Sequence, residues 1–236
     1  MTYSLNVALR FTQLVVGLFL YGIAIAMMVR AGVGVGPWEV LTQGIAAHTG
    51  LEFGVVTNIT GAVVLLLWIP LRQKPGIGTV LNVLGIGTSA DVGLALIPVQ
   101  STPAFQVLLF AGGLALLAVA TGLYVGAHFG PGPRDGLMLG ITRRWGVKTC
   151  IARTSIEVTV VFVGWLLGGD VGLGTLAFAL LIGPMVGVTL PLLSARVVPR
   201  PGRAKVAAAA QQGAEASAPA LLITADPAPA GKEVLS

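Results

Sequence analysis

The sequence predicts an all-α membrane protein whose six transmembrane helices form two inverted three-helix repeats. The chain of 236 residues is 55% hydrophobic and only 10% charged, whereas soluble domains average about 25% charged residues. Its apolar runs are long enough to cross a bilayer, and a glycine-proline phrase recurs after 96 residues. The alternating polar and apolar pattern of a membrane β-barrel is absent.

Four apolar runs carry no acidic or basic residue, and each is near or above the roughly 18 to 20 residues of a spanning helix. They are residues 11–29, 53–71, 105–125 and 171–195. Two further runs have the length of a span but contain ionisable side chains. They are residues 77–99, with Asp91, and residues 150–168, with Arg153 and Glu157. We therefore predict six spans in a transmembrane domain of residues 1–198.

The placement of Lys and Arg predicts the orientation, because short cytoplasmic loops are rich in these residues. With the N-terminus inside, Arg10 and the basic residues at 72–74, 134–153 and 196–205 all lie on the cytoplasmic side, and Arg30 lies outside. This orientation explains the excess of 14 basic over 9 acidic residues without a nucleic-acid partner. We expect the bacterial inner membrane, with both termini in the cytoplasm.

An internal duplication is indicated by residues that match at a constant offset of 96 positions. Repeat one covers about residues 10–99 and repeat two about residues 105–195. Since each repeat has three spans, the two must enter the membrane in opposite senses, as in many secondary transporters. The matched pairs include Gly17 and Gly113, Gly34 and Gly130, Gly36 and Gly132, Pro37 and Pro133, and Gly87 and Gly183.

Each glycine-proline phrase predicts a chain break followed by a short interfacial or re-entrant helix. Glycine permits the sharp turn, proline suits the first helical position, and a carboxylate two residues later offsets the positive helix end. Two interpretations stay open: a cap-and-turn connection, or gate and substrate sites that face opposite vestibules. The candidate residues are Gly34, Gly36, Pro37, Trp38, Glu39, Gly130, Gly132, Pro133, Arg134 and Asp135.

Three ionisable residues are predicted at membrane depth, where charge is costly and functional candidates concentrate. Arg153 and Glu157 have the spacing of a mutual contact on one helix, which is compatible with a structural ion pair or a transport relay. Asp91 is either functional or simply reaches an outer vestibule. We find no metal-ligand spacing around His48 or His128 and no catalytic constellation, so we expect neither a metal, a cofactor nor an enzyme.

The composition changes after Pro199, where the chain becomes rich in Ala, Pro and Gly. Residues 199–236 therefore predict a disordered cytoplasmic tail. The basic residues at 196–205 are expected to lie against anionic lipid headgroups.

Several segments resemble a known group of bacterial membrane proteins. They are GVGPWEVLTQGIAAHTGLEFG, WIPLRQKPGIGTVLNVLGIG, GPGPRDGLMLGITRR and RTSIEVTVVFVGWLLGG. Over about residues 10–195 the chain is similar to the YczE-type integral membrane proteins of the YczE/YyaS/YitT grouping. Members commonly have Asp after the Pro-Trp, where this chain has Glu39. The resemblance implies a multi-pass membrane protein and supplies no substrate.

The expected function is that of a small secondary carrier or permease-like protein. The alternative is a non-transporting membrane scaffold or regulator of a partner protein. A carrier predicts a polar cavity between the halves, whereas a scaffold predicts a filled interior and a partner surface on the basic inner loop. The partners we consider are the lipid bilayer, a small-molecule or ion substrate and a second copy in a homodimer.

Overall fold

The computed structural model describes residues 2–194, which form nine α-helices and no strand. They are α1 (Thr2–Ala31), α2 (Pro37–Thr49), α3 (Phe53–Leu66), α4 (Trp68–Leu71), α5 (Ile77–Leu96), α6 (Pro103–Gly126), α7 (Pro133–Trp145), α8 (Thr149–Leu166) and α9 (Leu173–Leu193). The predicted tail at 199–236 and the basic residues at 196–205 lie outside the described residues.

Six helical segments are long and apolar enough to cross a membrane, and they coincide with the six predicted spans. They are Val7–Ala31, Phe53–Leu71, Ile77–Leu96, Pro103–Gly126, Thr149–Leu166 and Leu173–Leu193. The second segment joins α3 and α4. Large apolar side chains cover the outer surfaces of these helices, as expected where the solvent is lipid.

The two glycine-proline phrases each start a short helix, as predicted. Both α2 and α7 have 13 residues and begin at a proline. Each follows a glycine with extended backbone, Gly36 at φ −65° and Gly132 at φ −63°. Each ends at a left-handed glycine, Gly50 at φ 69° and Gly146 at φ 67°, a conformation that favours glycine at helix C-termini. The two short helices therefore share their start, length and stop.

The core is built on the antiparallel pair α1 and α6, with α5 packed on α1 and α9 packed on α6. Glycines allow the two central helices to approach closely. A Cβ atom at Gly17 would lie 2.7 Å from the backbone nitrogen of Tyr124, and one at Gly113 would lie 3.0 Å from the carbonyl oxygen of Ala24. Either side chain would force the pair apart.

Polar side chains of α1 join the ends of three helices. Gln13 Nε2 donates to the carbonyl oxygens of Leu123 at 2.9 Å and Leu193 at 2.8 Å. Arg10 donates to the carbonyl of Ala127 from Nε at 3.0 Å and from Nη2 at 2.8 Å. The start of α1 and the ends of α6 and α9 therefore lie at the same end of the molecule.

Two further contacts cross between the halves of the chain. The amide of Gly78, at the start of α5, donates to the carbonyl of Phe129 at 3.0 Å. The amide of Gly174, at the start of α9, donates to the carbonyl of Val33 at 2.7 Å. Both donors and both acceptors are 96 positions apart, so each half anchors the glycine-proline phrase of the other in the same way.

In the first half, α3 and α5 are closely packed and joined by polar side chains. The amide of Gly54 donates to Asp91 Oδ1 at 2.6 Å, and the amide of Gly87 donates to Asn58 Oδ1 at 3.1 Å. Such contacts between side chain and backbone can hold two apolar helices together in lipid. Asp91, a candidate functional residue, therefore links α3 to α5.

The corresponding helices of the second half, α8 and α9, do not pack closely against each other. Positions 154 and 187, the counterparts of Asn58 and Asp91, are Thr154 and Gly187, so both bridging side chains are absent. Like the α3–α4 segment on α7, α8 packs against the short helix of the other half, α2, where a Cβ atom at Gly164 would lie 2.7 Å from the carbonyl carbon of Val40. The two halves thus adopt different packings with the same set of helices.

Candidate functional site

The first turns of α2 and α7 meet at a buried ion pair. Arg134 Nη1 donates to Glu39 Oε1 at 2.8 Å, and the Glu39 side chain is only 4% exposed. The guanidinium carbon of Arg134 lies 5.0 Å from the centre of the Trp38 ring, a distance at which a cation is attracted to the aromatic face. We call Trp38, Glu39, Arg134 and Asp135 the central cluster.

This contact corrects the expectation that the two phrases face opposite vestibules. Their helix starts converge, and Glu39 and Arg134 contribute to a single site. Local capping rules predict where each short helix begins, but they do not indicate how far its first turn reaches toward the other half. The interaction spans 95 residues of sequence, so only the tertiary fold brings the two side chains together.

Asp135 adds a second carboxylate to the cluster. Its Oδ2 atom accepts a hydrogen bond of 2.9 Å from the hydroxyl of Tyr124, and the Tyr124 ring packs edge-on against Tyr21 with centres 5.8 Å apart. Within residues 2–194, Asp135 forms no ion pair. The central cluster therefore contains two carboxylates and one guanidinium.

The electrostatic balance keeps Arg134 charged. Burial by itself would lower the pKa of its guanidinium, but the neighbouring Glu39, Tyr21 and Asp135 together offset that effect, and the pKa is raised. Arg134 therefore brings a positive charge to the contact with Glu39.

Glycines of the phrases leave room for these side chains. A Cβ atom at Gly36 would collide with the Glu39 carboxylate and lie 3.0 Å from the Phe178 ring. At Gly132 it would lie 3.1 Å from the Tyr124 hydroxyl oxygen. The preceding glycines, Gly34 at φ 111° and Gly130 at φ 122°, adopt a backbone conformation that other residues rarely reach.

Side chains outside the phrases hold the start of α7. The indole Nε1 of Trp68 donates to the carbonyl of Pro133 at 3.0 Å, and Thr79 Oγ1 donates to the carbonyl of Pro131 at 2.7 Å. A Cβ atom at Gly136 would fall within the Trp68 ring. The roles of Trp68, Thr79 and Tyr124 were not predicted from the sequence. At the 96-residue offset, Trp68 aligns with Gly164, and this difference between the two halves was the available signal for Trp68.

The predicted contact between Arg153 and Glu157 is present on α8. Arg153 Nε lies 2.8 Å from Glu157 Oε1, and the two side chains are 35% and 28% exposed. Glu157 lines a cleft of about 580 Å³ between α8 and α9, together with Thr154, Thr175 and mostly apolar side chains. The cleft reaches Pro37, two residues before Glu39. It therefore connects the outside of the helix bundle with the first turn of α2.

The structure brings together only part of the predicted site. The residues Pro37, Trp38, Glu39, Pro133, Arg134 and Asp135 surround the converging helix starts. Asp91 lies apart from them, between α3 and α5, and the pair on α8 borders the cleft. Among residues 2–194, no group of His, Cys, Asp and Glu has the arrangement of a metal site.

Comparisons with known proteins identify the family. Residues 8–191 match a family model described as a family of unknown function, DUF6198. The chain belongs to this family. It is 36% identical over 181 residues to an uncharacterized protein of Haemophilus influenzae, covering 77% of this chain and 83% of that protein.

Two relatives from Bacillus subtilis match the YczE-type group seen in the sequence. The uncharacterized membrane protein YczE is 31% identical over 188 residues, covering 79% of this chain and 87% of that protein. The uncharacterized protein YyaS is 25% identical over 185 residues, covering 75% and 90%. No solved structure matches the chain. The resemblance to YczE-type proteins is confirmed, and with its six apolar helices the protein is a multi-pass membrane protein.

Proposed function

We propose that the protein is a small secondary carrier whose transport site is the central cluster. The buried ion pair between Glu39 and Arg134 is the observation that carries this proposal. Charged groups at membrane depth are costly, and they mark substrate or ion pathways in many membrane proteins. Converging starts of short helices, with their unpaired amides and positive dipole ends, form the binding sites of known inverted-repeat carriers.

The proposal includes an inverted duplication with a two-fold axis in the membrane plane. The antiparallel packing of α1 and α6, which are counterparts at the 96-residue offset, supports it. So do the crossed contacts from Gly78 to Phe129 and from Gly174 to Val33. An axis of this kind exchanges the two halves and reverses the direction of every helix. In the proposed orientation, both termini are cytoplasmic and the membrane is the bacterial inner membrane.

The unequal packing of the halves supports alternating access. In the first half α3 is closed against α5, and in the second half α8 stands away from α9. A carrier with two related gates has one of them closed and the other open in each end state. The cleft beside Glu157 is then the open access route to the site. The cleft is mostly apolar and lies within the second half except at Pro37, so it is an access route beside the site and not the polar cavity between the halves that a carrier predicts.

An uptake screen tests the proposal. Proteoliposomes with the full-length protein would be tested against a labelled metabolite panel, alongside Glu39→Gln and the control Glu52→Gln. Glu52 is exposed at the start of α3, and its substitution should leave uptake unchanged. We expect accumulation of at least one compound by the wild type and the control, with loss of at least about tenfold in Glu39→Gln, about 1.4 kcal/mol in the transport barrier. No accumulation by folded wild-type protein would contradict the carrier and favour the scaffold.

A further inference from the structure

We infer that Arg134 binds a small oxyanion. Without the oxyanion, Glu39 is paired with the guanidinium of Arg134. When Glu39 takes up a proton, it releases the guanidinium for the oxyanion. This inference rests on the proposed carrier function and names its substrate class. The oxyanion is a carboxylate or an inorganic ion such as phosphate or sulfate. It travels with a proton in the same direction.

The hydrogen bonding of Arg134 leaves room for a second anion. A guanidinium presents five N–H donors and binds an oxyanion best through two parallel hydrogen bonds. In the described residues only Nη1 of Arg134 has an acceptor, a single oxygen of Glu39. The side chain is 28% exposed, so its remaining donors are not sealed in the core. Trp38 supports one face of the guanidinium and leaves its edge available.

The charge balance of the cluster requires a proton to accompany the anion. Glu39 and Asp135 already provide two carboxylates for one guanidinium. A bound monovalent oxyanion would leave two excess negative charges in a region of low dielectric, and a divalent one such as sulfate would leave three; either is strongly unfavourable. A proton on Glu39 removes one of them. The Nη1–Oε1 ion pair is then exchanged for an ion pair between Arg134 and the oxyanion. The only covalent change is the transfer of a proton from hydronium in the adjoining water to Glu39, which breaks one O–H bond and forms another.

The proton is assigned to Glu39 rather than to Asp135 because Glu39 is the carboxylate that contacts Arg134. Among residues 2–194, its charged partner is Arg134, and it loses that partner when the oxyanion binds. Asp135 retains the hydrogen bond from Tyr124. Arg134 contacts Glu39, and Tyr21 on α1 lies close enough to interact electrostatically with Glu39, Arg134 and Asp135. Tyr124 on α6 and Arg153 on α8 lie beyond them, on the side of Tyr21, and Arg153 pairs with Glu157 on its own helix.

The exchange predicts opposite effects for substitutions of the two partners. Glu39→Gln removes the resident competitor, so oxyanion affinity should rise at least about tenfold at about pH 8 and become independent of pH. Arg134→Gln should abolish oxyanion binding. Arg134→Lys keeps the charge without the fork and should weaken it. Arg144→Gln is the matched control, because Arg144 is exposed on the same helix.

The test is ligand-induced stabilisation of the full-length protein in a neutral detergent. Melting temperatures would be measured with inorganic phosphate, sulfate and acetate at about pH 6 and about pH 8. We expect at least one of them to stabilise the wild type and Arg144→Gln more at the lower pH, since binding to the folded state raises the melting temperature. It should stabilise Glu39→Gln equally at both values. A parallel series with phosphatidylglycerol distinguishes a lipid phosphate from a free oxyanion.

Stabilisation by an oxyanion that persists in Arg134→Gln would overturn the inference. So would the absence of any stabilisation of Glu39→Gln by the three oxyanions and by phosphatidylglycerol. Stabilisation by the lipid alone would retain the oxyanion site and make its occupant a lipid headgroup. Glu39-dependent uptake of a cation or neutral compound, without oxyanion stabilisation, would keep the carrier and reject the anion. Oxyanion binding without uptake of any compound would keep the anion site and reject the carrier.

Discussion

Arg134 connects more parts of the site than any other side chain of the central cluster. It pairs with Glu39 on α2 and lies over the Trp38 ring. Its own helix start is held by Trp68 through the carbonyl of Pro133. Because Glu39 is almost fully buried, the two charges depend on each other, and removal of either leaves an uncompensated charge inside the protein.

Arg134→Gln should destabilise the protein by about 3 to 5 kcal/mol, the usual cost of stranding one partner of a buried ion pair. The double substitution Arg134→Gln with Glu39→Gln should recover much of this loss, since neither member of the Glu39–Arg134 pair is then left charged without its partner. Melting in detergent measures both effects, with Arg144→Gln as the control. Equal destabilisation in the single and double variants would show that the pair is not the source of the loss.

At the scale of elements, the difference between α8 and α3 follows from a few side chains. Asp91 and Asn58 join α3 to α5. Their counterparts Gly187 and Thr154 leave α8 free to pack on α2, where Gly164 permits a close approach. The position of α8 should therefore respond to the restoration of the missing groups.

The triple substitution Cys150→Gly, Thr154→Asn and Gly187→Asp gives the second half the polar bridges of the first. We expect α8 to close on α9 and the cleft to shrink. Cys150 is the only cysteine of the chain, so the triple variant accepts spin labels at introduced cysteines, for example in place of Phe162 and Ala179 on opposite walls of the cleft. Their distance should shorten by several ångströms relative to a Cys150→Ser control, within the one-turn scale of such helix shifts. An unchanged distance would contradict the bridging argument.

Much of the element structure could be predicted from the sequence, because apolar length defines a span and Gly-Pro defines a helix start. The contact of Arg153 with Glu157 was also predictable, since it depends only on helical spacing. The pairing of Glu39 with Arg134 was not, because it depends on how deeply two helices 95 residues apart reach into the bundle. The separation of α8 from α9 was not predictable either, because it depends on how α8 packs against α2 relative to α9.

For the whole molecule, the distribution of charge predicts the orientation in the membrane. Fusions of a topology reporter after Pro199 should show cytoplasmic activity, because the basic residues at 134–153 and 196–205 favour the inner side. Fusions in the turn between α5 and α6, at residues 100–103, should show periplasmic activity. The opposite result at both positions would reverse the proposed orientation. If both fusions reported the same side of the membrane, an odd number of spans between the two positions would be excluded.

The contact of Trp68 with Gly136 has a consequence for the proposed duplication. In the other half the same contact is made by Gly164 and Val40, so the large residue and the glycine have exchanged helices. A protein assembled from two copies of the first half would place an indole against a valine at both contacts, and two copies of the second half would leave two holes. Under the proposed duplication, each half therefore supplies at these contacts the residue that the other lacks, as two different subunits of a heterodimer do. Co-expression of residues 1–99 with 100–236 should restore a folded protein, whereas either fragment expressed alone should not.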